Sequence, residues 1–195
     1  MKILGLTGSI GMGKSETARM FRRLGVAVFD ADASVHRLTA KGGAAVAAIG
    51  EAFPGSVVEG RVDRARLGPQ VLGDPAALKR LERIIHPLVG RERQRFLSRA
   101  RFARKRLVVM DVPLLFETRG ERRCHAVAVV YAPPLVRRLR VMRRPGMTEQ
   151  KLRDTVARQM ADAEKLRRAD FVVPTGLGLR RARDAVRRVL RKMRG

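Results

Sequence analysis

Gly8-Ser9-Ile10-Gly11-Met12-Gly13-Lys14-Ser15 is the most informative segment for the class of fold, because it matches the pattern G-x-x-x-x-G-K-[ST]. It follows the apolar run Lys2–Thr7 and opens a segment, Lys14 to about Leu24, with apolar residues at helical spacing. Glycines let successive backbone N–H groups point at phosphate oxygens, and the positive end of a helix dipole adds to this field. The sequence therefore predicts a loop that binds the phosphates of a nucleotide.

Two side chains of this loop carry chemistry. Lys14 is expected to reach the β- and γ-phosphates of ATP, and the Ser15 hydroxyl is expected to coordinate Mg²⁺. The alternative is a glycine turn with a chance lysine, but the strand before the loop and the helix after it favour nucleotide binding. The sequence has no Cys/His spacing typical of a metal site, so ATP with Mg²⁺ is the only cofactor set implied.

Length and composition limit the classes of protein to consider. A chain of 195 residues holds one domain, or a core with small insertions. No apolar run approaches the roughly 18 residues of a membrane span, and the N-terminus lacks the pattern of a secretory signal. The single cysteine, Cys124, excludes an intramolecular disulfide and agrees with a reducing compartment. We therefore expect a cytoplasmic protein with no membrane partner.

The formal net charge of +25 is the most unusual feature of the composition. Clustered basic residues would favour nucleic-acid binding, but 35 of the 43 are arginine and they are spread along the whole chain. This distribution equally suits a solvated surface or a site for several phosphates. Aromatic residues that stack on bases are few, with 7 Phe, 1 Tyr and no Trp. We expect no specific nucleic-acid partner, and no obligate protein partner is evident.

Short aliphatic runs alternate with helical periodicity, a pattern typical of an α/β fold with a parallel sheet. Several runs are continuously apolar, as expected for strands that are buried on both faces. The predicted strands are Lys2–Thr7, Val26–Asp30, Leu107–Val112, Ala126–Tyr131 and Phe171–Val173. A last amphipathic helix, Leu179–Met193, is predicted to cover the sheet with Ala182, Ala185, Val186, Val189, Leu190 and Met193.

Two helical segments interrupt this alternation. About 75 residues separate the second and third predicted strands, far more than one crossover needs, and this stretch is predicted to be helical with turns at Pro54-Gly55 and Gly73-Asp74-Pro75. Its predicted helices are Ala44–Phe53, Arg64–Leu72 and Pro75–Phe102. We interpret residues 36–102, approximately, as an insertion between core segments 1–35 and 103–195. The second helical segment, about 134–165, has a break at Pro145-Gly146 and a candidate helix N-cap at Thr148.

Acidic residues follow two of the predicted strands. Asp30-Ala31-Asp32 ends the second strand, at the carboxyl edge where α/β sheets bind ligands. One of the two acids can cap the following helix, which fits a structural Asp30 and an Asp32 that faces the acceptor of a phosphoryl group. Asp111 ends the third strand after four apolar residues, as in a Walker B strand. It either contributes to Mg²⁺ binding or caps a turn.

Arg140 and Arg144 lie one predicted helical turn apart, so both guanidinium groups could converge on one anion. Arginine suits the stabilisation of charge on a transferring γ-phosphoryl group. The basic residues around them are equally compatible with a solvated helix face. His36 and His86 are each interpreted, from the residues alone, as structural histidines.

In this combination and order the chain resembles the dephospho-CoA kinase family. The elements that carry the resemblance are Leu6–Ser15, Asp30-Ala31-Asp32, His86-Pro87, Val112–Glu117 (VPLLFE), Arg140, Arg144, Gln159 and Lys165–Asp170. The DAD and VPLLFE elements are more specific than the glycine loop alone. The resemblance spans nearly the whole chain.

The resemblance implies a three-layer P-loop NTPase fold with a five-stranded parallel sheet, a helical CoA-binding domain at about 36–102 and a lid at about 134–165. It implies ATP-dependent phosphorylation of the ribose 3′-hydroxyl of dephospho-CoA, the last step of CoA biosynthesis. Together with the assignments above, the predicted catalytic residues are Asp32 (the base), Lys14 and Arg140. The predicted nucleotide contacts are Gly11, Met12, Gly13, Lys14, Ser15, Glu16 and Arg144; the acceptor contacts, besides Asp32, are His86, Leu115 and Glu117; the metal ligands are Ser15 and Asp111.

Three positions depart from the family pattern. Glu16 stands where a second hydroxyl residue is usual, Pro145 follows Arg144 in place of aspartate, and Thr175-Gly176 replaces Asn-Gly after the last strand. None of these positions carries the predicted phosphoryl transfer, so they bear on nucleotide affinity.

Two other functions are compatible with parts of the sequence. Another nucleoside or small-molecule kinase could use the same fold, because a fold does not determine its substrate. A nucleic-acid-binding P-loop protein is motivated by the charge alone.

Overall fold

The structure, a computed structural model, describes all 195 residues. Its helices are α1 (Lys14–Arg23), α2 (Ala31–Thr39), α3 (Val46–Ala52), α4 (Arg64–Val71), α5 (Pro75–Phe102), α6 (Pro134–Met142), α7 (Glu149–Ala157), α8 (Asp162–Arg167) and α9 (Leu179–Arg194). Its strands are β1 (Lys2–Thr7), β2 (Ala27–Asp30), β3 (Val57–Val58), β4 (Arg61–Val62), β5 (Leu107–Asp111), β6 (Ala126–Tyr131) and β7 (Phe171–Pro174), and Gly120–Arg123 forms a 3₁₀ helix. The chain divides into two compact units, residues 1–29 with 100–195, and residues 30–99.

The main sheet has five strands in the order β2-β5-β1-β6-β7. Strand β1 pairs in parallel with β5 on one side and β6 on the other, and β6 pairs in parallel with β7. All five residues of β5 are buried, as its continuous apolar run predicts. The order reverses at β1, so the glycine loop that follows β1 lies at the point of an open α/β sheet where ligands bind. The five predicted strands and the P-loop NTPase fold are thereby confirmed.

Helices α1 and α9 pack against β1, β5, β6 and β7 to form the main hydrophobic core. From α1 the core takes Ala18, Met20 and Phe21, which follow helical spacing. From α9 it takes the predicted face, Ala182, Ala185, Val186, Val189, Leu190 and Met193. The remaining face of α9 is rich in exposed arginine, so these charges are solvated.

The unit of residues 30–99 contains α2, α3, α4 and most of α5, and its core is a second cluster that includes Ile49, Phe53 and Leu67. Residues 57–62, which lie between the first two predicted helices of this stretch, form an antiparallel hairpin of β3 and β4 that was not predicted. The reason is local: Val57-Val58 is β-branched, and Glu59 and Gly60 both adopt positive φ, as a type I′ hairpin turn requires. No helix, including the 28-residue α5, is both long and apolar enough to cross a membrane.

The predicted helical segment near 134–165 consists of three short helices, α6 to α8. Helix α6 ends at Met142, ahead of the Pro145-Gly146 turn. Helix α7 begins after Thr148, whose Oγ1 accepts a hydrogen bond of 3.2 Å from the Lys151 amide. The Thr148 N-cap prediction is confirmed.

The packing of α9 leads to a first prediction. Leu190 is 6% exposed, so Leu190→Ala should lower the free energy of unfolding by about 2–5 kcal/mol through lost burial and a residual cavity. Arg188→Ala, on the exposed face of the same helix, is the control and should change it by no more than about 0.5 kcal/mol. Urea unfolding of both variants measures the difference. Equal effects would contradict the assignment of the two faces.

Candidate nucleotide site

At two positions of the glycine loop the backbone conformation favours glycine. Gly11 (φ 75°) and Gly13 (φ 90°) adopt the left-handed region. A Cβ on Gly11 would lie 2.6 Å from Val141 Cγ2 and 3.1 Å from the carbonyl oxygen of Arg137, so helix α6 approaches the loop too closely for a side chain. Helix α1 begins directly after Gly13, and no side chain caps its N-terminus. This geometry suits the binding of phosphate groups by backbone N–H groups.

Lys14 and Asp111 are brought together, as the prediction of a shared phosphate and metal site requires. Lys14 Nζ lies 2.6 Å from Asp111 Oδ1, and the Asp111 side chain is 2% exposed. Strand pairing sets this contact, because Asp111 ends β5 in register with Leu6 of β1, just before the loop. A buried carboxylate is stabilised by such a partner, and the lysine is held near the loop.

The donor set around the loop fits a magnesium ion that arrives with a nucleotide. Mg²⁺ in such sites takes one or two protein oxygens and completes its shell with phosphates and water. The exposed hydroxyl of Ser15 and the carboxylate of Asp111 supply ligands of that kind. The structure contains no group of three or more His, Cys, Asp or Glu residues that could hold a metal ion by themselves.

Arg140 lies directly on the loop. Its guanidinium donates to the Thr175 carbonyl oxygen (2.7 Å), to Thr175 Oγ1 (3.2 Å) and, at 3.5 Å, to the Gly11 carbonyl oxygen. Arg144 is two residues beyond the end of α6 and is exposed, so the helical spacing that was to bring it beside Arg140 does not extend that far. The following Pro145 explains this, because a residue before proline avoids the helical region.

Two departures from the family pattern have visible partners. Thr175 Oγ1 donates to the Met12 carbonyl oxygen (2.5 Å), so this threonine ties the end of β7 to the glycine loop. Glu16, in the first turn of α1, forms an ion pair with Arg19 one turn later. The Arg19 guanidinium reduces the net negative charge that Glu16 places in the first turn of α1.

The side chains of the predicted acceptor residues Leu115 and Glu117 are both held by other parts of the larger unit. Leu115 is 2% exposed and packs in a cluster with Phe116 and strand β6. Glu117 Oε1 accepts from the Met160 amide (2.8 Å) and pairs with Lys165 Nζ (3.0 Å). Burial raises the pKa of Glu117, but these hydrogen bonds and the charge of Lys165 outweigh it, so the net pKa is lowered.

The remaining predicted residues lie in the unit of residues 30–99. Asp30 is the N-cap of α2, since its Oδ1 accepts from the Ala33 amide (3.0 Å), and this part of the prediction is confirmed. Asp32 follows in the first turn of α2 with an exposed side chain, and His86 is exposed on α5. Helix α2 is joined to α5 because Glu92 Oε2 accepts from Ser34 Oγ and from Arg37, each at 2.6 Å.

Sequence reasoning missed the residues that hold the loop from the side of α6 to α8. Asp162 accepts from Ser9 Oγ (2.6 Å) and from Arg137 (2.7 Å), and Gln159 Oε1 accepts from the Ile10 amide (3.1 Å). These partners are separated from the loop by more than 120 residues, and no local pattern marks Asp162 or Arg137. Gln159 was noted within the resemblance, but without a role.

Comparisons with known proteins identify the family of the chain. A model of the dephospho-CoA kinase family matches residues 2–178, a range that includes every predicted site residue. The chain is 64% identical over 165 residues to a dephospho-CoA kinase of Paramagnetospirillum magneticum (85% of this chain, 78% of the relative). It is 55% identical over 195 residues to that of Mesorhizobium japonicum (100% and 98%). A solved protein of Thermus thermophilus, 36% identical, matches with a TM-score of 0.88 (100% and 98%).

The lowered pKa of Glu117 leads to a prediction about acid stability. Glu117→Gln should cost about 1–3 kcal/mol at pH 7, because it leaves the buried Lys165 ammonium without a charged partner. A lowered pKa in the folded state contributes stability that is complete above the unfolded value of 4.5 and is lost as the pH falls through the folded value. The difference in the free energy of unfolding between parent and variant should therefore become smaller below pH 4.5.

Chemical unfolding at several pH values between 7 and 3 measures this difference. Glu82→Gln, which replaces an exposed carboxylate on α5, is the control. A difference between parent and Glu117→Gln that stays constant down to pH 3 would show that the carboxylate charge is not responsible.

Proposed function

The chain belongs to the dephospho-CoA kinase family, and we propose that Lys14, Arg140 and Asp32 are the residues through which it transfers the γ-phosphoryl group. Its reaction is the ATP-dependent phosphorylation of the ribose 3′-hydroxyl of dephospho-CoA, the final step of CoA biosynthesis. The observation that best supports the proposal is that Lys14, at the end of the glycine loop, and Arg140, which contacts the loop from α6, are each held by a partner outside the loop.

Lys14 is the proposed cation for the β- and γ-phosphates. A loose phosphoryl-transfer transition state spreads negative charge over the γ-phosphoryl oxygens, and a positioned ammonium stabilises that charge. Asp111 holds the ammonium near the loop, so little side-chain freedom remains to be lost when a nucleotide binds. Ser15 and Asp111 are the proposed ligands of Mg²⁺, which when bound would neutralise charge on the β- and γ-phosphates.

Arg140 is the second proposed cation. Its contacts with Thr175 and with the Gly11 carbonyl oxygen orient the guanidinium at the loop before any substrate binds. A planar guanidinium can donate two parallel hydrogen bonds to phosphate oxygens, so it suits the stabilisation of developing charge. Arg144, exposed in the turn after α6, is a proposed further contact of the nucleotide.

Asp32 is the proposed base for the ribose 3′-hydroxyl. Asp30 caps α2, so Asp32 is not needed for that structural role. A carboxylate is a weak base, but a loose transition state needs the hydroxyl to be oriented more than deprotonated in advance. The cap by Asp30 and the contacts of Ser34 and Arg37 with Glu92 give the helix that carries Asp32 a defined position on α5.

The acceptor side is proposed to involve the helical segment of about 36–102, with His86 as a polar contact. Leu115 and Glu117 are proposed to contribute to the acceptor side through the backbone of the VPLLFE segment. Their side chains are used elsewhere, because Leu115 packs in the core and Glu117 pairs with Lys165. Residues of about 134–165 are the proposed lid. We propose a cytoplasmic location, in keeping with the single cysteine.

Asp32→Asn tests the proposed base. We expect turnover with dephospho-CoA to fall by about 10²–10⁴-fold, while the dissociation constant for ATP stays within about threefold. Asp30→Asn is the matched control, because asparagine is an equally good helix N-cap and should leave turnover nearly intact. ADP release measures turnover and calorimetry measures ATP binding. Turnover of Asp32→Asn within threefold of the parent would exclude Asp32 as the base.

Lys14→Ala tests the nucleotide loop. The ammonium should contribute more to the transition state than to the ground state, so kcat should fall by about 10²–10³-fold and the KM for ATP should rise less. Lys192→Ala, on the exposed face of α9, controls for the loss of one positive charge. Steady-state kinetics with ATP and dephospho-CoA provide both constants. A kcat equal to that of the parent would refute the role of Lys14.

A further inference from the structure

Two ion pairs meet at the hydroxyl of Ser9, in the first turn of the glycine loop. Ser9 Oγ donates to Asp162 Oδ1 at 2.6 Å and accepts from Lys165 Nζ at 3.3 Å. Asp162 also pairs with Arg137 (2.7 Å), and Lys165 pairs with Glu117 (3.0 Å). One hydroxyl therefore joins an ion pair from α6 and α8 to an ion pair from α8 and the VPLLFE segment.

The burial of this network argues against a role in packing alone. Lys165 is 1% exposed and Ser9 is 5% exposed. Lysine is almost never fully buried unless it is paired, and a well-packed apolar residue in its place is often no less stable. A buried ammonium has what an apolar side chain lacks, namely directed hydrogen bonds that define the position of Ser9.

The contacts continue along the next two residues of the loop. The Ile10 amide donates to Gln159 Oε1 (3.1 Å), and the Gly11 carbonyl oxygen accepts from Arg140. Three consecutive loop residues are thus held by side chains between positions 137 and 165, directly before the backbone N–H groups at the start of α1. The path of residues 9–11 determines where those N–H groups point.

We propose that Lys165 and Asp162 are positioning residues, which through Ser9 hold the glycine loop in the shape that binds the nucleotide phosphates. The proposal rests on the proposed role of residues 11–16 as the nucleotide loop. It assigns no contact between Lys165 or Asp162 and a substrate. Both residues belong to α8, and the ion pair of Asp162 with Arg137 joins this helix to α6, which also carries Arg140.

A purely structural role and a positioning role differ in their kinetic signatures. Loss of a merely structural contact lowers stability and reduces the fraction of active enzyme, which leaves the two KM values unchanged. Loss of a positioning contact misdirects the phosphate-binding groups in folded enzyme. It should raise the KM and the dissociation constant for ATP and leave the KM for dephospho-CoA within twofold.

Ser9→Ala and Lys165→Met, in the full-length chain, test the proposal. Ser9→Ala should raise the KM for ATP by about fivefold and Lys165→Met by about tenfold, as expected for a lost hydrogen bond and a lost charged partner. The double variant should resemble Lys165→Met rather than show the product of the two effects, because both substitutions break one network. Calorimetry with ATP provides the same comparison without turnover.

Arg167→Ala is the control, because Arg167 is the exposed last residue of α8 and its guanidinium pairs with Glu164, outside the network at Ser9. It should change neither KM. Circular dichroism and thermal unfolding establish that each variant is folded, and if Lys165→Met does not fold, Ser9→Ala decides alone. A KM for ATP within twofold of the parent in folded Ser9→Ala would overturn the proposal.

Failure of the positioning role can be distinguished from failure of the proposed function of the nucleotide loop. If Lys14→Ala has normal kcat, the proposed function of the loop fails. If Lys14→Ala is inactive while Ser9→Ala and Lys165→Met bind ATP as the parent does, only the positioning role fails.

Discussion

The glycine loop after β1 cannot hold its own shape, and much of the larger unit is arranged to supply what it lacks. Glycines that allow backbone N–H groups to approach phosphates have no side chains with which to define a conformation. Other elements provide the contacts: Asp111 holds Lys14, Thr175 holds the Met12 carbonyl, and Asp162 holds Ser9. The parallel sheet makes this possible, because β5, β6 and β7 all end at the edge where the loop lies.

These contacts are largely ionic or charge-assisted, which has a cost and a benefit. Burying Lys165 or Asp111 requires desolvation that only a well-placed partner offsets. In return the geometry is specific, since an ion pair joined to directed hydrogen bonds tolerates less displacement than an apolar contact. A loop that must meet phosphate oxygens within a few tenths of an ångström benefits from this specificity.

The smaller unit applies a similar principle to α2, the helix that carries Asp32. Asp30 caps its first turn, and Ser34 and Arg37 join it to Glu92 of α5. Burial raises the pKa of Glu92, but the hydrogen bonds from Ser34 and Arg37 lower it by more, so the net pKa is lowered. The Glu92 carboxylate is therefore charged near neutral pH, and its contacts between α2 and α5 are maintained. A helix with a defined N-terminus and a defined partner presents its first-turn side chains in a reproducible direction.

From the amino-acid sequence alone it was possible to predict the fold class, the five strands, the buried face of α9, the caps at Asp30 and Thr148, and the family. These features depend on local patterns: apolar runs, helical periodicity, turn residues and short motifs. The partners of the loop, the pairing of Glu117 with Lys165 and the end of α6 before Arg144 became evident only in the folded chain. Contacts between residues more than 100 positions apart, such as Ser9 with Asp162, depend on strand order and helix packing, which no window of neighbouring residues encodes.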